Sequence, residues 1–178
     1  VDYQRPIDIL EHLIVGSEGT LAFVAEATFK TLPIAANCAT SLLIFKNLAV
    51  ATSALPHLLK MDFAAIELMD AASLKIGQND SEAPNELLKI DIDEHAALLV
   101  EFRENNRDVI NQKIQNATMR LKDLNLVRGA SFVEDAKIRE SLWHIRKGLY
   151  ALVASNRPDG TTALLEDIAV PVENLYKM

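Results

Sequence analysis

AALLVEF, residues 96–102, is the stretch that decides the fold, because a short apolar run of this length predicts a buried strand. Apolar side chains then recur at helical spacing over residues 106–124, which predicts an amphipathic helix. Residues 127–133 predict another strand, with Gly129 inside it. A β-α-β unit is therefore expected over residues 96–133.

The alternation of strands and helices continues on both sides of this unit. The further predicted elements are a helix over 7–14 behind Pro6, strands over 21–32, 39–45 and 64–69, a helix over 48–60, a short helix from Asp70 to Ile76, a helical turn over 86–89, a helix over 135–155 and a strand over 163–170. This order is typical of a split β-α-β plan. We predict an α+β, ferredoxin-like fold whose antiparallel or mixed sheet carries helices on one face.

Composition restricts the function classes. The chain has 178 residues, 49% of them hydrophobic, and a formal net charge of −7, which suits one domain with a real core. Nucleic acid is not expected as a partner, because phosphate binding needs a basic footprint. No apolar run is long enough to cross a bilayer. With Cys38 as the single cysteine, we predict a cytoplasmic location, and leave open a peripheral association with the inner membrane.

The turn Gly16-Ser17-Glu18-Gly19-Thr20 is a first candidate site. Two glycines that flank small polar residues can present several backbone N–H groups to an anion. The alternative is a plain turn between a helix and a strand, since Gly and Ser often do no more than separate elements.

A stripe on the long helix over 135–155 is a second candidate. Its members, spaced four, three and four residues apart, are Arg139, Trp143, Arg146 and Tyr150. Two guanidinium groups between two aromatic rings can hold a carboxylate and shield it from water. The alternative is a half-exposed helix face whose arginines are solvated.

Acidic and histidine residues give weaker signals. Glu166 and Asp167 are adjacent in a predicted strand and face opposite ways, so at most one of them points into a site. The histidines are scattered, at His12, His57, His95 and His144, without the spacing of zinc ligands. No metal site is predicted within this chain.

Three segments resemble a known family. HLIVGSEGTLAFVAEATFKTLP (12–33) is similar to the end of the FAD-binding domain in the vanillyl-alcohol oxidase/p-cresol methylhydroxylase superfamily. LWHIRKG (142–148) and EDIAVPV (166–172) resemble the C-terminal, FAD-linked oxidase domain of D-lactate and D-2-hydroxyglutarate dehydrogenases. The segments occur in the family's order, and the sequence most resembles long bacterial enzymes that fuse this flavin module to an iron–sulfur region.

The resemblance implies a role for each segment. Residues 1–33 would be the tail of the FAD-binding domain, and residues 34–178 the substrate-binding cap. The residues that would line the flavin, largely through backbone groups, are Gly16, Ser17, Glu18, Gly19 and Thr20. Arg146 would grip the substrate carboxylate, with Arg139, Trp143 and Tyr150 beside it. Asp167 and Pro171 would be structural markers of the last strand.

Two positions depart from the family's pattern. Ala22 stands where a glycine is common, and Leu165 stands where related D-2-hydroxyglutarate enzymes have a lysine. The second departure leaves open how a second carboxylate of a diacid substrate would be held. The resemblance also implies that the pyrophosphate-binding loops precede Val1, and that the catalytic and metal-binding histidines follow Met178.

The predicted function follows from this likeness. We expect a fragment, inactive alone, of an FAD-dependent enzyme that oxidises a D-2-hydroxyacid, with its electron acceptor undetermined and any iron–sulfur cluster or divalent metal outside the chain. An alternative from another class is a stand-alone ferredoxin-like ligand-binding or regulatory module, because fold does not decide function. Self-association as a homo-oligomer through uncovered apolar surface is a third reading.

Overall fold

A computed structural model describes residues 3–81, 83–161 and 170–177. The chain divides into two compact units between Ile34 and Ala35. No helix in these described ranges is long and apolar enough to cross a bilayer.

The first unit contains one helix, α1 (Pro6–Val15), which confirms the helix predicted over 7–14. Pro6 lies in the first turn, where its missing N–H costs nothing. The strand predicted over 21–32 is wrong, because residues 22–35 have no regular secondary structure. A strand needs a hydrogen-bonded neighbour, and none of the described residues pairs with this segment. Phe23 and Phe29, expected on its apolar face, are 92% and 83% exposed.

The second unit is built on a three-stranded sheet. Its strands are β1 (Asn37–Phe45), β2 (Ala65–Met69) and β3 (Ala96–Glu104), in the spatial order β1-β3-β2. Both pairings are antiparallel, and β3 lies at the centre with Val100 opposite Ser41 on one side. The three strands predicted here are therefore confirmed.

The strand predicted over 127–133 is reduced to two isolated bridges on the outer edge of β1. Val133 pairs with Thr40 and Leu126 pairs with Phe45, both in the antiparallel sense. Five residue steps on β1 face seven on the outer segment, so two extra residues bulge away from the edge around Gly129. The segment still occupies the place of a fourth strand, which completes the ferredoxin-like order 4-1-3-2.

Two helices cover one face of the sheet, which we call the apolar face. They are α2 (Leu48–Leu58), extended by a 3₁₀ turn over Leu59–Met61, and α5 (Arg107–Leu121). They pack on the side chains of alternate strand residues such as Phe45, Leu98 and Phe102. Val172 and Leu175, from the 3₁₀ helix Val172–Lys177, pack against the same cluster.

The opposite face of the sheet, which we call the carboxylate face, also carries helices. These are α3 (Ala71–Gln78), α4 (Asn85–Leu88) and α6 (Ala136–Asn156), with Leu74, Leu87 and Ile145 buried against the strands. The α+β class is confirmed, but the expectation of helices on one face only is wrong. The physical reason lies in residues 96–100, which are apolar at odd and even positions alike, so both faces of β3 are buried.

Some of the remaining predictions concern residues that the structure describes, and others do not. The capping role of Asp70 is confirmed, since its Oδ1 accepts a hydrogen bond from the N–H of Ser73 at 2.8 Å. The predicted helices over 48–60, 86–89, 106–124 and 135–155 are present within a few residues of their expected bounds. Residues 163–169, with Leu165, Glu166 and Asp167, lie outside the described residues.

Candidate active site

Helix α6 carries the predicted stripe and is fixed against the sheet by its apolar side. Asp135 caps it, with Oδ1 accepting from the N–H of Ile138 at 3.0 Å. Leu142 and Ile145 are buried in the core of the carboxylate face. A Cβ added at Gly77 on α3 would lie 2.7 Å from Cγ2 of Ile145, so the two helices meet at this glycine.

Two members of the stripe contact one buried carboxylate. Glu101 on β3 is 2% exposed, and its Oε2 accepts a hydrogen bond from Nε1 of Trp143 at 2.6 Å. Arg139 Nη1 lies 3.5 Å from the same oxygen. The sheet supplies two further donors, Thr40 Oγ1 to Oε2 and Arg103 Nε to Oε1, each at 2.6 Å.

These donors decide the protonation state of Glu101. Burial by itself raises the pKa of a carboxyl group, because it disfavours the charged form. The hydrogen bonds from Thr40, Arg103 and Trp143, together with the charge of Arg103, outweigh burial and bring the pKa of Glu101 below its ordinary value. Glu101 is therefore an anion at neutral pH.

The third member of the stripe, Arg146, pairs with a different glutamate. Its Nε lies 3.2 Å from Oε2 of Glu67, which projects from β2 on the same face of the sheet as Glu101. The Arg146 side chain is 50% exposed, whereas that of Arg139 is 22% exposed. Of these two arginines, Arg146 is therefore the one with more surface open to a ligand.

A cavity of about 340 Å³ lies beside the Glu101 network. Its lining residues are Cys38, Glu101, Arg103, Arg139, Glu140, Trp143 and Lys147. Three cationic groups against two carboxylates leave this wall with a net positive charge, which favours an anionic ligand.

Tyr150, the fourth member of the stripe, lies within α6, and its side chain is outside the described part of the structure. The structure thus brings Arg139 and Trp143 together on Glu101 and places Arg146 separately on Glu67. Another α6 side chain, His144, lies 3.3 Å from Asp80 through Nε2. The described residues form no cluster of histidine, cysteine and carboxylate groups able to hold a metal ion.

Residues 16–20, in the first unit, form a tight backbone turn. The N–H of Thr20 donates to the carbonyl of Ser17 at 2.9 Å, and φ is positive at both Glu18 (50°) and Gly19 (81°). Among the described residues, the N–H groups of Glu18 and Gly19 have no acceptor. A Cβ at Gly19 would meet nothing within 4 Å. Backbone N–H groups without an acceptor are the kind of donor that the oxygen atoms of a bound flavin nucleotide would need.

Sequence reasoning missed Glu101, Thr40 and Glu67. A signal existed for Glu101, which is the one charged residue within the apolar run 96–102. A charge in a strand buried on both faces needs partners, so its presence predicts donors from neighbouring elements. Nothing comparable marks Thr40 or Glu67, because their partners are known only once β1, β2 and α6 are placed.

Comparison with known proteins identifies the family of the chain. A family model described as FAD linked oxidases, C-terminal domain, matches residues 34–178. A D-2-hydroxyglutarate dehydrogenase of Haemophilus influenzae is 27% identical over 177 residues, which cover 93% of this chain and 17% of that protein. The chain therefore spans less than a fifth of the length of this curated relative. By the extent of the family match, the chain belongs to the C-terminal domains of the FAD-linked oxidases.

Proposed function

We propose that the protein containing this chain is an FAD-dependent dehydrogenase of D-2-hydroxyacids of the D-lactate or D-2-hydroxyglutarate class. In this proposal residues 34–178 form the substrate-binding cap, and residues 1–33 belong to the flavin-binding side. Family membership supports the cofactor, and the name of the Haemophilus relative supports the substrate class. The chain on its own is proposed to be inactive.

The observation that carries the proposal is the geometry of Arg146. Glu67 engages Nε, and half of the side chain remains exposed. The two terminal nitrogens, Nη1 and Nη2, then remain for a second carboxylate, which a guanidinium binds through two parallel hydrogen bonds. Glu67 also restricts the orientation of the guanidinium, so less side-chain freedom is lost when a substrate binds.

The roles of the chain's other residues follow from this placement. Arg146 binds and orients the carboxylate of the hydroxyacid, and Trp143 excludes water on its side of α6. The N–H groups of Glu18 and Gly19, with the neighbouring residues of the 16–20 turn, hold the cofactor. FAD, when bound, supplies the oxidising chemistry by accepting a hydride from the substrate. The group that takes the hydroxyl proton is proposed to lie outside this chain.

Anaerobic flavin bleaching of the full-length protein tests the proposal. We expect bound flavin that is reduced by a D-2-hydroxyacid and not by its L-enantiomer. Arg146→Ala should raise the half-saturating acid concentration about 10- to 100-fold, as expected for the loss of a charge-assisted hydrogen-bonded pair. Arg120→Ala, which removes an exposed arginine from α5 on the apolar side of the sheet, is the matched control and should match the unsubstituted protein.

Two results would contradict the proposal at different points. Absence of bound flavin, or no bleaching by any 2-hydroxyacid, would overturn the dehydrogenase assignment. Ligand binding by the flavin-free protein would then favour a binding module. Bleaching that is equally efficient in Arg146→Ala would leave the activity in place and remove the role of Arg146.

A further inference from the structure

Two of the polar contacts between α6 and the sheet converge on a single carboxylate oxygen. Oε2 of Glu101 accepts from Thr40 on β1 and from Trp143 on α6, and Arg139 lies near the same atom. We propose that Glu101 is a positioning residue, which acts through Trp143 and Arg139 to set the rotation of α6 and so the direction of Arg146. The inference rests on the proposed role of Arg146 in carboxylate binding.

We assign this role to Glu101 and not to the apolar contacts, because hydrogen bonds depend on direction and apolar contacts do not. Leu142 and Ile145 hold α6 by burial, which is non-directional and tolerates small shifts of the helix. Hydrogen bonds weaken steeply when their angles deteriorate. Two α6 groups four residues apart reach the same oxygen, so rotation or sliding of the helix would break at least one contact.

The cost of burying a charge points the same way. A carboxylate that is 2% exposed loses its hydration, and stability alone would be served equally well by an apolar side chain of similar volume. Removal of one donor, in contrast, leaves a buried charge that is no longer fully compensated. The network therefore stabilises one placement of α6 and strongly disfavours others.

The connection to Arg146 is mechanical. Trp143 and Arg146 are three residues apart and lie on the same side of the helix. A helix rotation of about 20° moves an atom at the side-chain radius of ~5–6 Å by ~2 Å. A displacement of this size weakens the hydrogen bonds from Arg146 to a bound carboxylate, because such bonds weaken steeply with distance and angle. The single contact between Arg146 and Glu67, at 3.2 Å between partly exposed groups, is a weaker restraint.

A double-mutant cycle in the full-length protein tests whether Glu101 acts through Arg146. The variants are Glu101→Gln, Arg146→Ala, the double variant and the control Glu94→Gln, which removes the same charge from an exposed loop. We expect Glu101→Gln to raise KM for the hydroxyacid about tenfold with kcat within about twofold, which corresponds to about 1.4 kcal/mol. In the Arg146→Ala background, the same substitution should leave KM unchanged.

A purely structural role would give another pattern. Glu101→Gln should lower the Tm whether residue 146 is arginine or alanine. A lowered Tm alone therefore does not support a positioning role. An unchanged KM in the single variant, or an equal rise of KM in both backgrounds, overturns the inference. A normal KM in Arg146→Ala itself would instead overturn the proposed function on which the inference rests.

A second variant covers the case in which Glu101→Gln does not fold. Trp143→Phe keeps an aromatic ring in place and removes only the indole donor to Oε2. We expect a several-fold rise in KM when Arg146 is present and no change when it is replaced by alanine. A rise that persists without Arg146 means that Trp143 acts on the substrate independently of Arg146, and it overturns the inference.

Discussion

The apolar face of the sheet holds α2 and α5 through side chains such as Phe45, Leu98 and Phe102. The carboxylate face, built from the alternate residues of the same strands, holds α6 through Leu142 and Ile145 but also through Glu101. Strand β3 thus contributes Val100 and Phe102 to one face and a charged residue between them to the other. The two faces differ in where helix and sheet make directed polar contacts. On the first, Lys113 Nζ of α5 pairs with Glu104 Oε1 at the partly exposed end of β3, at 2.6 Å. On the second, the carboxylate that accepts from α6 is buried among the strands.

Because of this difference, the stability of the domain and the position of α6 depend on different contacts. Apolar packing gives most of the free energy of folding, and it depends on the area and volume that are filled. A buried carboxylate with good donors adds little net free energy, but it fixes geometry. Substitutions on the apolar face should therefore change stability more than substrate binding, and those around α6 should change substrate binding more than their effect on stability suggests.

The largest loss of stability is expected from Phe102→Ala on the apolar face. Phe102 is 1% exposed and stacks on Phe63 and Phe132, with ring centroids 4.3 Å and 5.5 Å away. Its truncation should lower the free energy of unfolding by about 3–5 kcal/mol, measured by urea denaturation. Phe23→Ala, at an exposed position, should change it by less than about 0.5 kcal/mol. A similar loss in both variants would show that burial does not distinguish them.

Gly77→Ala should give a smaller loss of stability and a larger change in function. The added Cβ would lie 2.7 Å from Cγ2 of the buried Ile145, so Ile145 must shift, and α6 is expected to shift with it. We expect a loss of about 1–3 kcal/mol in stability and a raised KM for the hydroxyacid, because α6 moves with Arg146. Gly129→Ala, where a Cβ meets nothing within 4 Å, is the control. An unchanged KM in a destabilised Gly77→Ala protein would show that Arg146 tolerates movement of α6.

Local sequence patterns were sufficient to predict most elements of the second unit. The apolar run 96–102 predicted β3, and Asp70 and Asp135 mark helix starts where their side chains cap the backbone. These signals act over a few residues, so the chain itself contains them. The split β-α-β order then gave the α+β class, because the topology of such units has few solutions.

Contacts between distant residues were not predictable in this way. Thr40 and Trp143 lie 61 and 42 positions from Glu101 along the chain, and nothing in the local pattern pairs them. The second helical layer was not predicted, because helical periodicity shows that α6 has an apolar side but not which face of the sheet that side covers. The strand expected over 21–32 failed for a related reason, since alternation predicts a strand only where a partner strand is available.

Acid pH should weaken the carboxylate face selectively. Since the pKa of Glu101 lies lower in the folded protein than its ordinary value of 4.5, its charged form contributes stability above that value. This contribution is lost as pH falls through the folded pKa. We expect the Tm difference between the unsubstituted protein and Glu101→Gln to be largest near neutral pH and to shrink on acidification. A difference that stays constant down to about pH 3 would mean that the charge of Glu101 is not what stabilises the network.

The smallest change in the free energy of unfolding is expected from Ser41→Ala, and the sign of this change is informative. Ser41 is the neighbour of Thr40 on β1, but it faces the apolar side, and its buried hydroxyl has no hydrogen-bond partner among the described residues. Its removal should raise the free energy of unfolding by up to about 1 kcal/mol, because an unpaired buried polar group is destabilising.

Thr40→Ala is the matched comparison, since it deletes a hydroxyl one residue away that donates to Glu101 at 2.6 Å. It should destabilise by about 1.5–3 kcal/mol, as expected for a hydrogen bond to a charged group. Urea denaturation of both variants measures the two changes in the free energy of unfolding. Changes of opposite sign in the two variants would show that adjacent hydroxyl groups of one strand destabilise one face of the sheet and stabilise the other. Destabilisation by Ser41→Ala comparable to that of Thr40→Ala would mean that the buried core of the apolar face also depends on a polar contact of Ser41.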